Sequence, residues 1–185
     1  MVRITLSPLC RALVLGAASL ALSGTALAAG DKAAYDQAKA SAKAAYDTDR
    51  KQCDALSGNA KDVCQLEAKA KRVRTEETAE AAYKNTDRAR ASAAKDIAEA
   101  DYKVAKEKCD DLSGNPKDVC VKEAKAALEK AKADAKMKKE VGTARKDAAE
   151  DKRDADYKVA KEKCDALSGD AKSSCMDQAK AAYGK

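Results

Sequence analysis

The apolar positions of this chain are mostly alanines, and they recur at the spacing of a helix. The clearest run places apolar residues mostly three, four or seven positions apart: Ala94, Ile97, Ala98, Ala105, Cys109 and Leu112. This spacing predicts one apolar stripe along a helix. Glycine and proline, which interrupt helices, fall almost only at a few repeated positions. The pattern therefore predicts an all-α protein of long Ala/Lys-rich helices.

A unit with two cysteines eleven positions apart occurs three times. Residues 102–120 recur almost letter for letter at 157–175 and more loosely at 46–64, always with Leu-Ser-Gly between the cysteines. A repeat period of about 55 residues is typical of a stacked helical array. We therefore predict tandem antiparallel helical hairpins, one for each unit.

The turn of each unit carries helix-end residues in the expected order. Gly114 suits the left-handed position just past a helix end. Asn115 then suits an N-cap, and Pro116 suits the first position of the next helix. The equivalent residues of the other units are Gly58 with Asn59, and Gly169 with Asp170.

The cysteines of each unit lie on either side of this turn. If two helices fold back at Gly114, Cys109 and Cys120 reach the same level on facing helices, which is the geometry that a disulfide requires. Free thiols are the simplest alternative, whereas a zinc site has the wrong spacing and no histidine to use. We predict that every turn is clamped by a Cys-x10-Cys disulfide: Cys53–Cys64, Cys109–Cys120 and Cys164–Cys175.

Tyrosine and alanine also occupy fixed places in the unit. A tyrosine lies seven residues before each first cysteine, and two helical turns place it on the same face as the sulfur. An alanine lies four residues after each second cysteine, where a small side chain allows close helix approach. We favour packing over ligand binding for the tyrosines. These residues are Tyr46, Tyr102 and Tyr157, and Ala68, Ala124 and Ala179.

Two further positions lie midway between the clamps. Thr86 or Asn85 could cap a new helix, and Gly142 could break one, although a glycine in a helix costs only about 1 kcal/mol. Turns at both places give six antiparallel helices of about 25 residues, and uninterrupted helices give rods of roughly 80 Å. We favour turns or kinks at both places. The predicted hairpin repeats span 29–85, 86–141 and 142–185.

The N-terminus has the features of a secretory signal peptide at 1–28. Arg3 and Arg11 precede an apolar run at 12–22, and an Ala-x-Ala cleavage motif ends at Ala28. A retained membrane anchor is the alternative, but the run is short for a span. We predict no stable membrane insertion after cleavage. A periplasmic location follows, and such a signal is also compatible with secretion beyond the periplasm.

Removal of this signal leaves six cysteines, 35 basic and 31 acidic residues. An even cysteine count in an exported chain favours paired disulfides. Only 15 of the remaining 157 residues are Leu, Ile, Val or Met, which is too few for an ordinary globular core. Each disulfide closes a short loop and contributes roughly 3 kcal/mol, which matters most where the core is thin.

The motifs of catalysis are missing from the sequence. It has no histidine, no glycine-rich phosphate loop, and no G-x-S-x-G or C-x-x-C motif. We therefore expect a protein that is not an enzyme, with no catalytic, cofactor-binding or metal-binding residues. Basic residues alternate with acids and lack aromatic platforms, so we expect no nucleic-acid partner. Alanine-rich faces leave self-association open.

The cysteine motifs carry a resemblance to a known group of proteins. Lys108-Cys109-Asp-Asp-Leu-Ser-Gly-Asn-Pro-Lys-Asp-Val-Cys120 and Glu162-Lys163-Cys164-Asp-Ala-Leu-Ser-Gly169 resemble uncharacterised exported proteins of Gram-negative bacteria, often labelled TolA-like cell-envelope biogenesis proteins. The resemblance implies a place in the cell envelope. We expect a periplasmic scaffold or interaction protein whose partners are unknown envelope proteins. A stress-protective, holdase-like chain is the second hypothesis, and a small-ligand or metal-binding module is the third.

Overall fold

The computed structural model describes residues 30–185, and the predicted signal peptide lies outside this range. The described part contains five α-helices and no strand, which confirms the all-α prediction. Short 3-10 turns at Cys53–Ala55 and Cys109–Asp111 follow the first and third helices. The helices are α1 (Lys32–Gln52), α2 (Gly58–Lys84), α3 (Asp87–Lys108), α4 (Gly114–Asp165) and α5 (Gly169–Tyr183).

The helices form a serial array of antiparallel hairpins. Extensive contacts join α1 to α2, α2 to α3, α3 to α4 and α4 to α5. Within residues 30–185, no helix pair that is not consecutive makes a comparable contact. The chain thus folds back and forth in the predicted tandem hairpins, each helix lying beside its neighbours in sequence.

Burial on α3 shows that this array is a single layer. Ala91 and Ala93 are both buried, with 8% and 5% of their surfaces exposed. Positions two apart on a helix point about 200° away from each other. The two alanines therefore lie on opposite sides of α3, one toward α4 and the other toward α2. Buried Ala68 and Ala70 mark two opposite sides of α2 in the same way.

The prediction of one apolar stripe on α3 is therefore wrong. Ala94 is exposed, and Leu112 at the end of the predicted stripe is 44% exposed. An inner helix of a single layer contacts a neighbour on each side, so it requires two narrow stripes of small residues. The predicted stripe joined alanines and larger apolar residues into one set, and so it did not separate the two sides of α3.

The buried residues are almost all small. They are nine alanines, the first cysteine of each clamp, and Leu128, and none of the buried residues in the described part is polar or charged. Alanine buries little apolar area, so each helix contact contributes little hydrophobic stabilisation. The thin core expected from composition is present as alanine-lined seams between neighbouring helices.

The turn between α2 and α3 lies where the sequence placed it. Asn85 adopts the left-handed conformation with φ of 45°, and its N–H donates to the Ala81 carbonyl. Thr86 caps α3, because its hydroxyl accepts a hydrogen bond of 3.0 Å from the backbone N–H of Ala89. Both termini satisfy backbone groups that a helix end leaves unpaired.

The turn expected at Gly142 is absent, and that prediction is wrong. α4 continues through this residue without a break. The whole helix has 52 residues, which corresponds to a length of about 78 Å. The modest cost of one glycine does not outweigh good helix formers on both sides. The first half of α4 packs against α3 and the second half packs against α5. The fold therefore has five helices, one of them twice the expected length.

Candidate functional site

Three disulfides clamp the turns, as predicted. The sulfurs are bonded in each unit, and the first cysteine of each pair is at most 1% exposed. Each disulfide therefore lies between the two helices that it joins, at the turn end of the hairpin. The Cα–Cα distances are 5.6 Å for Cys53–Cys64, 5.7 Å for Cys109–Cys120 and 5.6 Å for Cys164–Cys175.

The glycine of each clamp has the predicted left-handed backbone. Gly58, Gly114 and Gly169 have φ values of 56°, 58° and 58°. The new helix begins at the glycine, and the preceding serine occupies the N-cap position without a side-chain capping bond. The predicted asparagine N-cap is therefore wrong. In the first clamp, Asn59 instead donates to the carbonyl of Glu107 at 3.3 Å, which ties this clamp to the end of α3.

An ion pair that the sequence reasoning missed spans each clamp. It joins the aspartate after the first cysteine to the lysine three residues after the glycine. The repeated sequence carried this signal, since both residues occupy the same places in all three units. The pairs are Asp54–Lys61 at 3.1 Å, Asp110–Lys117 at 2.9 Å and Asp165–Lys172 at 2.8 Å.

Hydrogen bonds across the second and third clamps lower the pKa of an aspartate in each. Donation by Lys117 lowers the pKa of Asp110 below its ordinary value, and donation by Lys172 lowers the pKa of Asp165 in the same way. In both cases the partner favours the carboxylate form. Because these side chains are exposed, the pairs orient the turn more than they stabilise it.

The alanines that follow the second cysteines have the predicted role. Ala68, Ala124 and Ala179 are all buried against the facing helix. A larger side chain at these positions would separate the helices where the disulfide holds them together. The small residue and the disulfide are thus two parts of one local arrangement.

Tyrosines close the first and last hairpins at the end opposite the clamp. Tyr35 of α1 stacks on Tyr83 of α2 with ring centroids 5.2 Å apart, and Tyr157 of α4 meets Tyr183 of α5 at 6.2 Å. All four rings are half-buried, so they pack along the seams without being enclosed. Sequence reasoning identified only Tyr157 of these four, because the others lie outside the repeated cysteine unit.

The other two tyrosines of the repeat also lie at helix seams. Tyr46 lies under the guanidinium of Arg72, whose Cζ is 5.5 Å from the ring centroid. Tyr102 lines a cleft between α3 and α4 among alanines and Leu128. Both rings are half-buried, which fits the packing role that we expected for them.

The α3–α4 hairpin is closed at its open end by a different contact. Asp87 begins α3 and lies against Gly142 of α4. Its carboxylate accepts hydrogen bonds from Arg90, 2.5 Å away, and from Lys146, 3.2 Å away. These two partners lower the pKa of Asp87. Each of the three clamped hairpins is thus held at one end by a disulfide and at the other by a side-chain contact.

Among residues 30–185, no three Cys, Asp or Glu side chains lie close enough together to hold a metal ion. None of the helices from α1 to α5 is long and apolar enough to cross a membrane.

Three disulfides are typical of a protein that folds in an oxidising compartment. In comparisons with family models, curated proteins and solved structures, no match was found.

Proposed function

We propose that the protein is a non-enzymatic periplasmic scaffold or interaction protein of the cell envelope. The observation that carries this proposal is the single layer of helices clamped at its turns. A globular domain hides one face of each element in a core, whereas this layer leaves two broad faces in contact with solvent. Such a layer offers an unusually large surface to partners for the length of its chain.

The clamps supply the rigidity that a scaffold requires. Alanine seams contribute little hydrophobic stabilisation, and isolated helices of this composition are marginal in water. A disulfide across three of the four described turns restricts the conformations of the unfolded chain and keeps the joined helices in register. Oxidation in the periplasm would therefore produce a surface of fixed shape.

The two faces are charged and hydrated. Ion pairs such as Lys108–Glu67 at 2.6 Å and Arg74–Asp101 at 2.7 Å link neighbouring helices across the layer. Exposed pairs of this kind contribute little to stability, but a fixed pattern of charge selects partners and speeds their association. We infer that envelope proteins would be recognised by complementary charge.

Photo-crosslinking in the periplasm tests this proposal. A crosslinking amino acid is placed at Met137 or Val159, two exposed apolar positions on α4, in the oxidised protein. We expect discrete adducts with envelope proteins. The matched control replaces both cysteines of the second clamp by serine, which should weaken adducts from Met137 more than adducts from Val159. Recovery of the protein in the cytosolic fraction would contradict the proposal. Adducts no more abundant than background would also contradict it.

A stress-protective, holdase-like function is the second candidate. The scarcity of Leu, Ile, Val and Met favours it, since a weakly packed hydrophilic chain can solvate other proteins. Suppression of aggregation of a thermally unfolding client, with stronger suppression after reduction of the clamps, would support this function. A cooperative melt without any effect on the client would argue against it. A ligand-binding or metal-binding module remains the third candidate, to be tested by thermal-shift screening.

A further inference from the structure

Five of the seven residues that line a cleft of about 400 Å³ between α3 and α4 are cationic, although most of the wall itself is apolar. α3 contributes Arg88 and Lys95 and α4 contributes three lysines, with Ala91 and Ser92 as the uncharged lining. No carboxylate lines it, whereas each of four other clefts between neighbouring helices of the layer contains at least one. The three lysines of α4 are Lys132, Lys136 and Lys139.

Helix periodicity and register bring these charges together. Residues 88, 91, 92 and 95 share one face of α3, and residues 132, 136 and 139 share one face of α4, because each set is spaced by three, four or seven. The disulfide Cys109–Cys120 fixes the register of the two helices at one end, and the Asp87–Gly142 contact fixes it at the other. The cleft lies between these two fixed points, so the backbone positions that carry its charges are set before any ligand arrives.

Most of the positive charge in the cleft is not neutralised by the protein. Lys132 pairs with Glu99 at 3.0 Å, and Lys136 has only a long contact of 3.9 Å with Glu140. Within residues 30–185, Arg88, Lys95 and Lys139 have no carboxylate within the 4.0 Å that defines an ion pair. Four of these five cations are exposed, so solvent screens their repulsion, and a bound anion would be attracted by their combined charge.

We propose that this cleft binds an anion carrying at least two phosphate groups. Lysine and arginine on opposing helices suit phosphate oxygens, which accept several charge-assisted hydrogen bonds at once. The described tyrosines lie at other seams, so the cleft has no ring on which a nucleobase could stack. The phosphates can belong to a free polyphosphate or to a phosphorylated lipid headgroup. The inference stands on the cleft alone and does not require an envelope location.

Calorimetric titration of the oxidised protein with inorganic tripolyphosphate tests the proposal. We expect binding of one anion per chain that weakens as salt is raised. The variant Arg88→Gln, Lys95→Gln, Lys139→Gln should bind about tenfold more weakly, or worse, because it removes the unpaired cations. The control variant Arg153→Gln, Lys158→Gln, Lys161→Gln removes the same charge from the far half of α4 and should bind as the unaltered protein does.

Two further measurements keep the outcome clear. Circular dichroism must show equal helix content in both variants, and Lys95→Arg with Lys139→Arg should retain binding because the charge is retained. Titration with phosphatidylcholine vesicles containing cardiolipin, whose headgroup carries two phosphates, distinguishes the sources. Binding to these vesicles that is tighter than binding to tripolyphosphate identifies a lipid headgroup as the ligand. Binding to tripolyphosphate without binding to the vesicles identifies a free anion.

Three results would overturn the proposal. The first is no binding of tripolyphosphate even at low salt. The second is an equal loss of binding in the cleft variant and the control, which would show that only net charge matters. The third is equally tight binding of polyglutamate at the cleft, which would show a site for acidic peptides instead of phosphate.

Discussion

The carboxylate of Asp87, at the start of α3, fills the space beside Gly142 in the middle of α4. A Cβ atom added at Gly142 would lie 2.5 Å from both Cγ and Oδ2 of Asp87. The glycine is therefore present for close approach and not for a turn. Both residues lie equally far along the chain from the cysteines of the second clamp, so the antiparallel register is kept from the disulfide to this contact.

Replacement of Gly142 by alanine should reveal this contact. Glycine to alanine in a helix interior ordinarily stabilises by about 1 kcal/mol. We expect no gain in the free energy of unfolding from Gly142→Ala, because the new methyl group would displace Asp87 from its contacts with Arg90 and Lys146. In the background Asp87→Gly, which also removes the Asp87 Cβ that would lie 3.1 Å from the new methyl group, the ordinary gain should return. Urea unfolding of the oxidised single and double variants measures the difference, and equal gains in both backgrounds would contradict the contact.

Loss of the third clamp should unfold α5 alone. This helix has 15 residues and, within residues 30–185, makes its extensive contacts with α4, and so short a helix is not stable by itself. The variant Cys164→Ser, Cys175→Ser should lose helical circular dichroism in proportion to this segment. The control Cys53→Ser, Cys64→Ser affects longer helices with more contacts and should lower the melting temperature with little loss of helix at low temperature.

The middle of α4 should be the first site of proteolysis. Residues 143–153 are all exposed and lie between the part of α4 that packs on α3 and the part that packs on α5. Segments with few buried contacts open locally at low free energy. We expect trypsin to cut after Arg145 or Lys152 before it cuts near Lys132. Since no disulfide crosses this segment, two fragments should separate on a non-reducing gel, and a single surviving band would refute the expectation.

Acid should weaken the contacts made by aspartates of lowered pKa. Asp87 is held ionised in the folded protein by Arg90 and Lys146, so its contribution is present above the ordinary aspartate pKa. That contribution is lost as the pH falls through the lower pKa of the folded state. The melting temperature of Asp87→Asn should therefore change less with pH across this acidic range than that of the unaltered protein. Parallel curves would be evidence against this account.

Glu77 should show the opposite behaviour. Burial, and then the nearby charge of Asp96, raise the pKa of Glu77 in the cleft between α2 and α3. An acid of raised pKa stabilises the fold below its ordinary pKa and loses that contribution as the pH rises through the folded value. Glu77→Gln should therefore raise the melting temperature at neutral pH. The same substitution at exposed Glu123 serves as the control and should have no such effect.

The sequence predicted the features that depend on local chemistry. The clamps were evident because one spacing of cysteine and glycine occurs three times, and the turn at Asn85 and Thr86 follows from the conformations these residues favour. The continuity of α4 at Gly142 was not evident, since its cause is a contact with a residue that is distant along the chain. The sequence alone does not reveal which residue of another helix will face a glycine.

The cationic cleft illustrates the same limit. Along each helix the charges alternate in sign, which indicates a solvated face. Only the register between α3 and α4 places Lys95 opposite the lysines of α4 without acids between them. The predicted second disulfide was enough to predict the register of α3 and α4. Predicting which side chains line the cleft also required knowledge of the single-layer arrangement, which the spacing of alanines did not reveal.

Each disulfide joins two cysteines that follow one another along the chain, within the three clamps. During synthesis from the N-terminus, both thiols of one couple emerge before the first thiol of the next. After removal of the predicted signal peptide, which carries Cys10, an oxidase that links sulfurs in their order of appearance would produce the native set directly. Maturation of this protein should then need an electron acceptor but no isomerase to correct mistaken pairings.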